Sequence, residues 1–257
     1  MVLAFSDRSS DSPFVDRIWR SRSELGGTFL SVAQSHFEIA ITRHRGRTSV
    51  TLRGPETIAT AAACPSEGEW LGIRFQLGTF MPGLTPGNLR DRRDVTLAEA
   101  TTRSFWLNGS AWEYPDFENA DTFVARLARK GIIACDFAVG AMLQRRPLRL
   151  PLRSAQRHFV RATGITHRKL RQIERARFAT MLLQQGVPVL DTVHEAGYFD
   201  QPHLTRAVKT LIGATPAEIS RGTHQLSFLY KATPLPPLYD AHGRSVHDRI
   251  ESNRRRR

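Results

Sequence analysis

Arg153, Gln156 and Arg157 fall within five residues of one another, and Gln201, His203 and Arg206 within six. Guanidinium and carboxamide groups carry paired polar atoms in a fixed plane. That plane matches the O6/N7 edge of guanine and the N6/N7 edge of adenine, both of which a duplex displays in its major groove. The two clusters sit in a stretch that repeats itself. Arg157-x-Phe159-x4-Gly164-x-Thr166 returns 49 positions later as Arg206-x-Val208-x4-Gly213-x-Thr215. Each copy sets a basic residue, an apolar anchor and a glycine suited to ending a helix in the same relative places.

The elements that must position these side chains are helices. Leu152, Ala155, Phe159 and Ala162 share one helical face, with Arg153, Gln156, Arg157 and Arg161 towards the other. Gly164 ends this helix, and Thr166 caps a longer one, His167–Gln184, whose Leu170, Ile173, Ala176 and Leu183 form an apolar stripe up to Gly186. A second pair follows. Leu190, Val193 and Ala196 mark the inner face of a short helix beginning beside Pro188. Asp200 caps the next, which should bury Leu204, Val208 and Leu211 and expose Gln201, His203, Arg206 and Lys209. Two helix-turn-helix units joined by a long helix are therefore expected, each offering its second helix to a major groove. The joining helix would span ~27 Å at about 1.5 Å per residue. With the bodies of the units added, the two reading helices should lie ~34 Å apart, about one turn of B-DNA.

Charge supports the same chemistry. Residues 1–135 hold 16 Lys/Arg against 15 Asp/Glu, whereas residues 136–257 hold 21 against 9, so nearly all of the net +13 lies in the half with the repeat. Such asymmetry pairs a neutral module with one that meets a polyanion, although a basic run is often only a solvated face. Between residues 145 and 177 there are 11 Lys/Arg and one acidic residue, Glu174. Arg161, Arg168, Lys169, Arg171 and Lys209 suit phosphates, which fix register without carrying sequence information. Plainer roles stand beside these: Arg157 and Arg206 in salt bridges within their own units, His203 as a polar surface residue, Phe159 and Val208 as core, Gly164 and Gly213 as helix ends.

The first half reads as mostly β. Residues 36–42 place Phe37, Ile39 and Ile41 on one face of a strand, His44-Arg45-Gly46-Arg47 supplies a turn, and residues 49–52 alternate again, so a hairpin is expected. Residues 58–63 and 70–77 are further strand candidates, the latter with Ile73, Phe75 and Leu77 in phase, and the glycines and prolines of 78–87 close the β unit. About five short strands imply a small sandwich or barrel. From residue 95 the pattern changes: Asn119-Ala120-Asp121 caps a helix bearing Phe123, Leu127 and Ala128 and stopping at Gly131, and a second runs from Asp136 to Leu143 before Arg145-Arg146-Pro147. The fold class is α+β. Residues 1–135 form a β-rich effector or dimerisation domain with a helical end, 136–222 the double helix-turn-helix domain, and 223–257 a basic tail, expected to be disordered, with Pro234, Pro236, Pro237 and Arg254–Arg257.

Residues 152–219 resemble the C-terminal DNA-binding domain of AraC/XylS-type transcription regulators. The resemblance rests on Gln156-Arg157-x-Phe159, Gly164-Ile165-Thr166, Arg175 with Ala179 and Leu182-Leu183, Ala196-Gly197-Tyr198-Phe199-Asp200-Gln201, His203-Leu204-x-Arg206, Lys209 and Gly213-x-Thr215-Pro216. It implies two helix-turn-helix units on one chain and an N-terminal effector or dimerisation module. By position it assigns base reading to Arg153, Gln156 and Arg157 and then to Gln201, His203 and Arg206. Three residues depart from the pattern: Pro151 in place of a capping Ser, Val208 in place of Phe, and Pro202 early in the second reading helix. A cupin-like barrel is common in the N-terminal half of such proteins, but a His-x-His with a spaced Glu and His is lacking, which argues against a metal-dependent cupin enzyme. Trp19, Trp70, Trp106 and Trp112 could line a ligand pocket or pack in the core.

Other classes fit less well. A charge-driven architectural DNA binder leaves the ordered repeat unexplained. A β-barrel enzyme with a DNA-binding appendage lacks a Ser/His/Asp set, a phosphate loop or a carboxylate pair, so no catalytic residue, cofactor or metal is assigned. Cys64 and Cys135 are read as free thiols, too few for a metal cluster. No apolar run reaches the roughly 18 residues of a membrane span, and the start lacks a secretory h-region. The expected setting is cytoplasmic and nucleoid-associated, with double-stranded DNA as the partner. A small-molecule effector, RNA polymerase and a second copy of the chain are further candidates.

Overall fold

The computed structural model describes residues 3–91, 94–144 and 146–227. The sequence motifs of the expected C-terminal tail beyond 227 lie outside them. In chain order the strands are β1 (Leu3–Arg8), β2 (Val15–Ser23), β3 (Gly27–Ser31), β4 (Glu38–His44), β5 (Arg47–Arg53), β6 (Thr60–Cys64), β7 (Glu69–Phe75), β8 (Thr79–Phe80), β9 (Val95–Leu97), β10 (Glu99–Thr101), β11 (Ser104–Leu107) and β12 (Ser110–Glu113), with a 3-10 turn at Pro86–Leu89. Helix α1 (Ala120–Arg129), strand β13 (Ala134–Cys135) and helices α2 (Phe137–Leu143), α3 (Leu152–Thr163), α4 (His167–Gln184), α5 (Val189–Glu195), α6 (Gln201–Leu211) and α7 (Pro216–Arg221) follow. The α+β class is as expected, with β structure first and helices last.

By internal contacts the chain divides into two compact units. One holds the N-terminal strands up to Thr28, Ala33–Thr57 and Ala62–Lys169; the other holds Phe29–Val32, Ile58–Ala61 and the chain from Leu170 onwards.

The first unit is built on a six-stranded antiparallel sheet in the order β1-β2-β7-β4-β5-β9. The hairpin expected from residues 36–52 is β4–β5, turned by Arg45 and Gly46 in the left-handed region. Alternation sends Ile18, Ile39, Ile41, Ile73 and Phe75 into one core with Phe123, Val124 and Leu127 of α1 and with Phe105 and Trp112. Trp112 meets Phe123 edge-on at 5.7 Å between ring centres, so this tryptophan is core. Trp106 is half exposed. The β structure extends further than the five strands expected. Four short strands, β9 to β12, occupy residues 95–113 before the helices begin. Each is only three or four residues long, too short for a period to register.

A polar group is buried on the sheet as well. Trp19 lies across Gly72, where a Cβ would come within 2.1 Å of the indole, and its Nε1 donates to Glu38 Oε2 at 3.0 Å. Arg74, opposite Glu38 in the register, donates from Nε to Asp16 Oδ2 at 2.6 Å, at the point where a bulge interrupts β2. Burial raises the Glu38 pKa, against the opposing pull of Arg53, the Trp19 hydrogen bond and Arg74.

The helical part of the first unit packs α3 beside α2, β8 and the 3-10 turn. Gly164 ends α3 at φ +75°, and a Cβ there would meet the Pro86 carbonyl carbon and the Gly87 nitrogen at 2.7 Å. In the second unit, α5 to α7 follow α4 in a short-looped helical array. Phe29–Val32 and Ile58–Ala61, which carry parts of the paired strands β3 and β6, join them.

Two outcomes follow from these contacts. Because the folded Glu38 pKa lies above its ordinary 4.5, its contribution is fully present below that pH and is lost as pH rises through the folded value. Glu38→Gln keeps an acceptor for Trp19 without the charge. It should melt at or above the wild type at neutral pH, with the advantage fading as pH falls towards 4.5. An equal loss of stability at both pH values would contradict this. Gly164→Ala and Gly186→Ala both force a side chain into the left-handed region, at about 1–2 kcal/mol each. Only Gly164 has backbone against it, whereas a Cβ at Gly186 meets nothing within 4 Å. Urea unfolding should show the Gly164 variant clearly the weaker, and equal losses would refute the contact.

Candidate nucleic-acid interface

The first pair of helices is α2–α3. Asp136 caps α2 by accepting from the Ala138 N–H at 2.9 Å, and its second oxygen lies 2.7 Å from His158 Nδ1, which ties α3 to the start of α2. Ala155, Phe159, Ala162 and Thr163 of α3 are buried, and Phe159 meets the His167 ring edge-on. The opposite face carries Arg153, Gln156 and Arg157, all exposed. Arg157 Nη2 reaches the Ser154 hydroxyl at 3.4 Å, and among the described residues it forms no ion pair. Leu152 departs from the expected pattern. It is 71% exposed, because it opens α3 one turn before the first buried position, behind a Pro151 that donates no cap.

The second pair is α5–α6. Asp200 caps α6 through its side chain, accepting from His203 N–H at 2.7 Å, so α6 starts where the sequence places it. Pro202 sits in the first turn, where a missing N–H costs no hydrogen bond. Leu204, Val208 and Leu211 are buried, and Gln201 and Arg206 are exposed. His203 is half-buried rather than exposed, since its ring packs edge-on against Tyr198 at 5.1 Å. Leu190, expected on the inner face of α5, is 64% exposed; Thr192 and Val193 fill that face instead.

The turn between α5 and α6 is held from α4. Arg175 lies 4.5 Å over the Tyr198 ring and donates to the Gly197 carbonyl at 3.2 Å. Burial raises the Tyr198 pKa in spite of this neighbouring guanidinium. Tyr198 is thereby fixed inward, and the next residue, Phe199, is 90% exposed. In the sequence Arg175 and Tyr198 stand out only through the family resemblance. A cation stacked on a ring 23 positions away leaves no local periodic signal.

The C-terminal side of α6 is closed by α7, whose capping box pairs Thr215 with Glu218, the Thr215 N–H donating to Glu218 Oε2 at 2.7 Å. That hydrogen bond holds the Glu218 carboxyl below its usual range. Residues from the N-terminal half complete this end. Leu30 N–H donates to the Gln225 carbonyl at 2.8 Å, Ser227 N–H to the Leu30 carbonyl at 2.8 Å, and Ala59 N–H to the Thr210 carbonyl at 2.9 Å. Gly213, at φ +88°, would set a Cβ 3.2 Å from Ala59 and 3.3 Å from Leu30.

Arg168, Arg171 and Lys209 are exposed, and Lys169 is partly so. Arg161 is exposed but lies 5.7 Å over the Phe80 ring, which gives it a partner within its own unit. Glu174, the one acidic residue among the basic run, is buried with its carboxylate 3.9 Å from Arg177, so it does not neutralise the outer face.

Comparison with known proteins falls on this segment. Residues 146–222 match the family described as a helix-turn-helix domain. No curated protein matches the chain. Two solved structures of ToxT from Vibrio cholerae show a distant likeness. One has 12% identity over 84% of this chain and 98% of that chain, with a TM-score of 0.35. The other, bound to (E)-4-(8-methylnaphthalen-1-yl)but-3-enoic acid, has the same identity and coverage with a TM-score of 0.36. So remote a likeness assigns nothing to this chain. The family match spans α3 to α7, and it contains the resemblance carried by residues 152–219. Residues 146–222 of this chain are therefore a helix-turn-helix domain, as the AraC/XylS resemblance implies, and they hold α3 to α7.

Proposed function

We propose that this chain is a sequence-specific DNA-binding transcription regulator that reads two successive major grooves with α3 and α6. One observation carries the proposal. In both copies of the repeat the arginine and glutamine side chains matched to base edges stay at the surface, while the apolar positions two residues beyond Arg157 and Arg206 are fully buried. Arg153, Gln156 and Arg157 read one half-site, and Gln201, His203 and Arg206 the other, with His203 reaching least far because it packs on Tyr198. Arg161, Arg168, Lys169, Arg171 and Lys209 hold phosphates. Half-sites about one helical turn apart, ~34 Å, are expected.

In this reading residues 1–135 are the effector or dimerisation domain, 136–222 the reading domain and 223–257 a basic tail that adds affinity without specificity. The backbone hydrogen bonds of Leu30 and Ala59 to the end of α6 and the segment after α7 support control by the N-terminal module. They come from chain that is continuous with the N-terminal sheet. A small-molecule effector, RNA polymerase and a second copy of the chain complete the proposed partners, in a cytoplasmic, nucleoid-associated setting.

Arg157→Ala and Arg206→Ala test the assignment. Each should cost about 1–3 kcal/mol on the cognate duplex and relax the base preference of its own half-site, measured by fluorescence anisotropy at fixed salt. Wild-type affinity of both variants for target and for random DNA would overturn it.

A further inference from the structure

Phe199 is the most exposed large apolar side chain in the described structure, at 90%. Leaving a phenylalanine ring in water forgoes the stabilisation that burial brings, so its place calls for a reason. It is not a side chain on a loose loop. Gly197 before it is pinned by Arg175, and Tyr198 is buried beneath that guanidinium. Asp200 after it is the N-cap of α6, in extended backbone, with its carboxylate on the His203 N–H. The ring is thus fixed outward at the N-terminal end of a reading helix, next but one to Gln201.

That end is the part of a recognition helix whose residues meet base edges. Gln201, Arg206 and Lys209 are exposed on the same helix, so the surroundings suit a polyanion better than an apolar protein surface or a lipid. The apolar feature a major groove offers is the C5-methyl group of thymine, against which a phenylalanine can pack. We infer that Phe199 is a specificity-determining residue that contacts a thymine methyl in the half-site read by α6. This rests on the assignment of α6 as a reading helix and names one base type within its site.

Thymine-to-uracil scanning tests it, because uracil removes the methyl group and leaves every hydrogen-bonding edge intact. On the duplex selected by the wild-type protein, each thymine of the α6 half-site is replaced in turn, and binding is measured for wild type and for Phe199→Ser. One replacement should weaken the wild type about four-fold, the worth of one buried methyl group. The Phe199→Ser variant should bind the parent duplex less tightly, show no penalty at that position, and melt as the wild type does. A variant whose uracil profile and affinity equal those of the wild type would overturn the inference. So would one that binds DNA unchanged but loses capture of RNA polymerase, which would give Phe199 to a protein partner. A wild type that prefers no sequence over random DNA would overturn the reading of α6 itself, and the contact with it.

Discussion

Everything proposed for the outer faces of α3 and α6 depends on how firmly their inner faces are held. Residues two apart on an α-helix point roughly 200° from each other. Burying Phe159 and Val208 completely therefore turns Arg157 and Arg206 outward. Neither anchor acts alone. Gly164 stops α3 against the Pro86–Leu89 turn, Asp136 ties His158 to α2, and Asp200 fixes the first residue of α6. A reading helix rotated by a fraction of a turn would present the wrong side chains, so rotation is the quantity these contacts control.

The two helix pairs are supported differently. The α2–α3 pair leans on elements of the N-terminal half, with Arg161 over Phe80 and Gly164 against the 3-10 turn. The α5–α6 pair is braced from α4 by Arg175 and closed at its far end by Leu30, Ala59 and the Thr215–Glu218 capping box. In both cases residues far away in sequence finish what local helix propensity begins. A helix pair of this size buries little apolar surface of its own, and packing of an amphipathic face supplies most helical stability.

Much of the helical part was legible because its signals are local. Gly164 and Asp200 end and begin helices through their own backbone and side chain, and the spacing of Ala155, Phe159 and Ala162 marks the buried face of α3. Leu152 and Leu190 were misplaced since periodicity continues an apolar stripe into a first turn that no neighbour covers. The N-terminal half was harder. The β4–β5 hairpin has a turn and clean alternation, but β9 to β12 are too short to show either. The bonds of Leu30 and Ala59 to the helical unit pair residues more than 150 positions apart, and no sequence window contains both partners. Of the candidate site, Arg153, Gln156, Arg157, Gln201 and Arg206 are exposed as their helical positions imply, whereas His203 is half-buried because its ring packs on Tyr198 of the preceding turn, a contact that helical periodicity does not encode.

The central claim is that one chain reads two half-sites through two unequal helices. Selection of bound genomic fragments by the purified full-length protein tests it most directly. A shared motif is expected, with two conserved blocks centred about 10 base pairs apart, the spacing of successive major grooves on one face of the duplex. Fragments with no common motif, retained only at low salt, would contradict it and leave a charge-driven binder in its place.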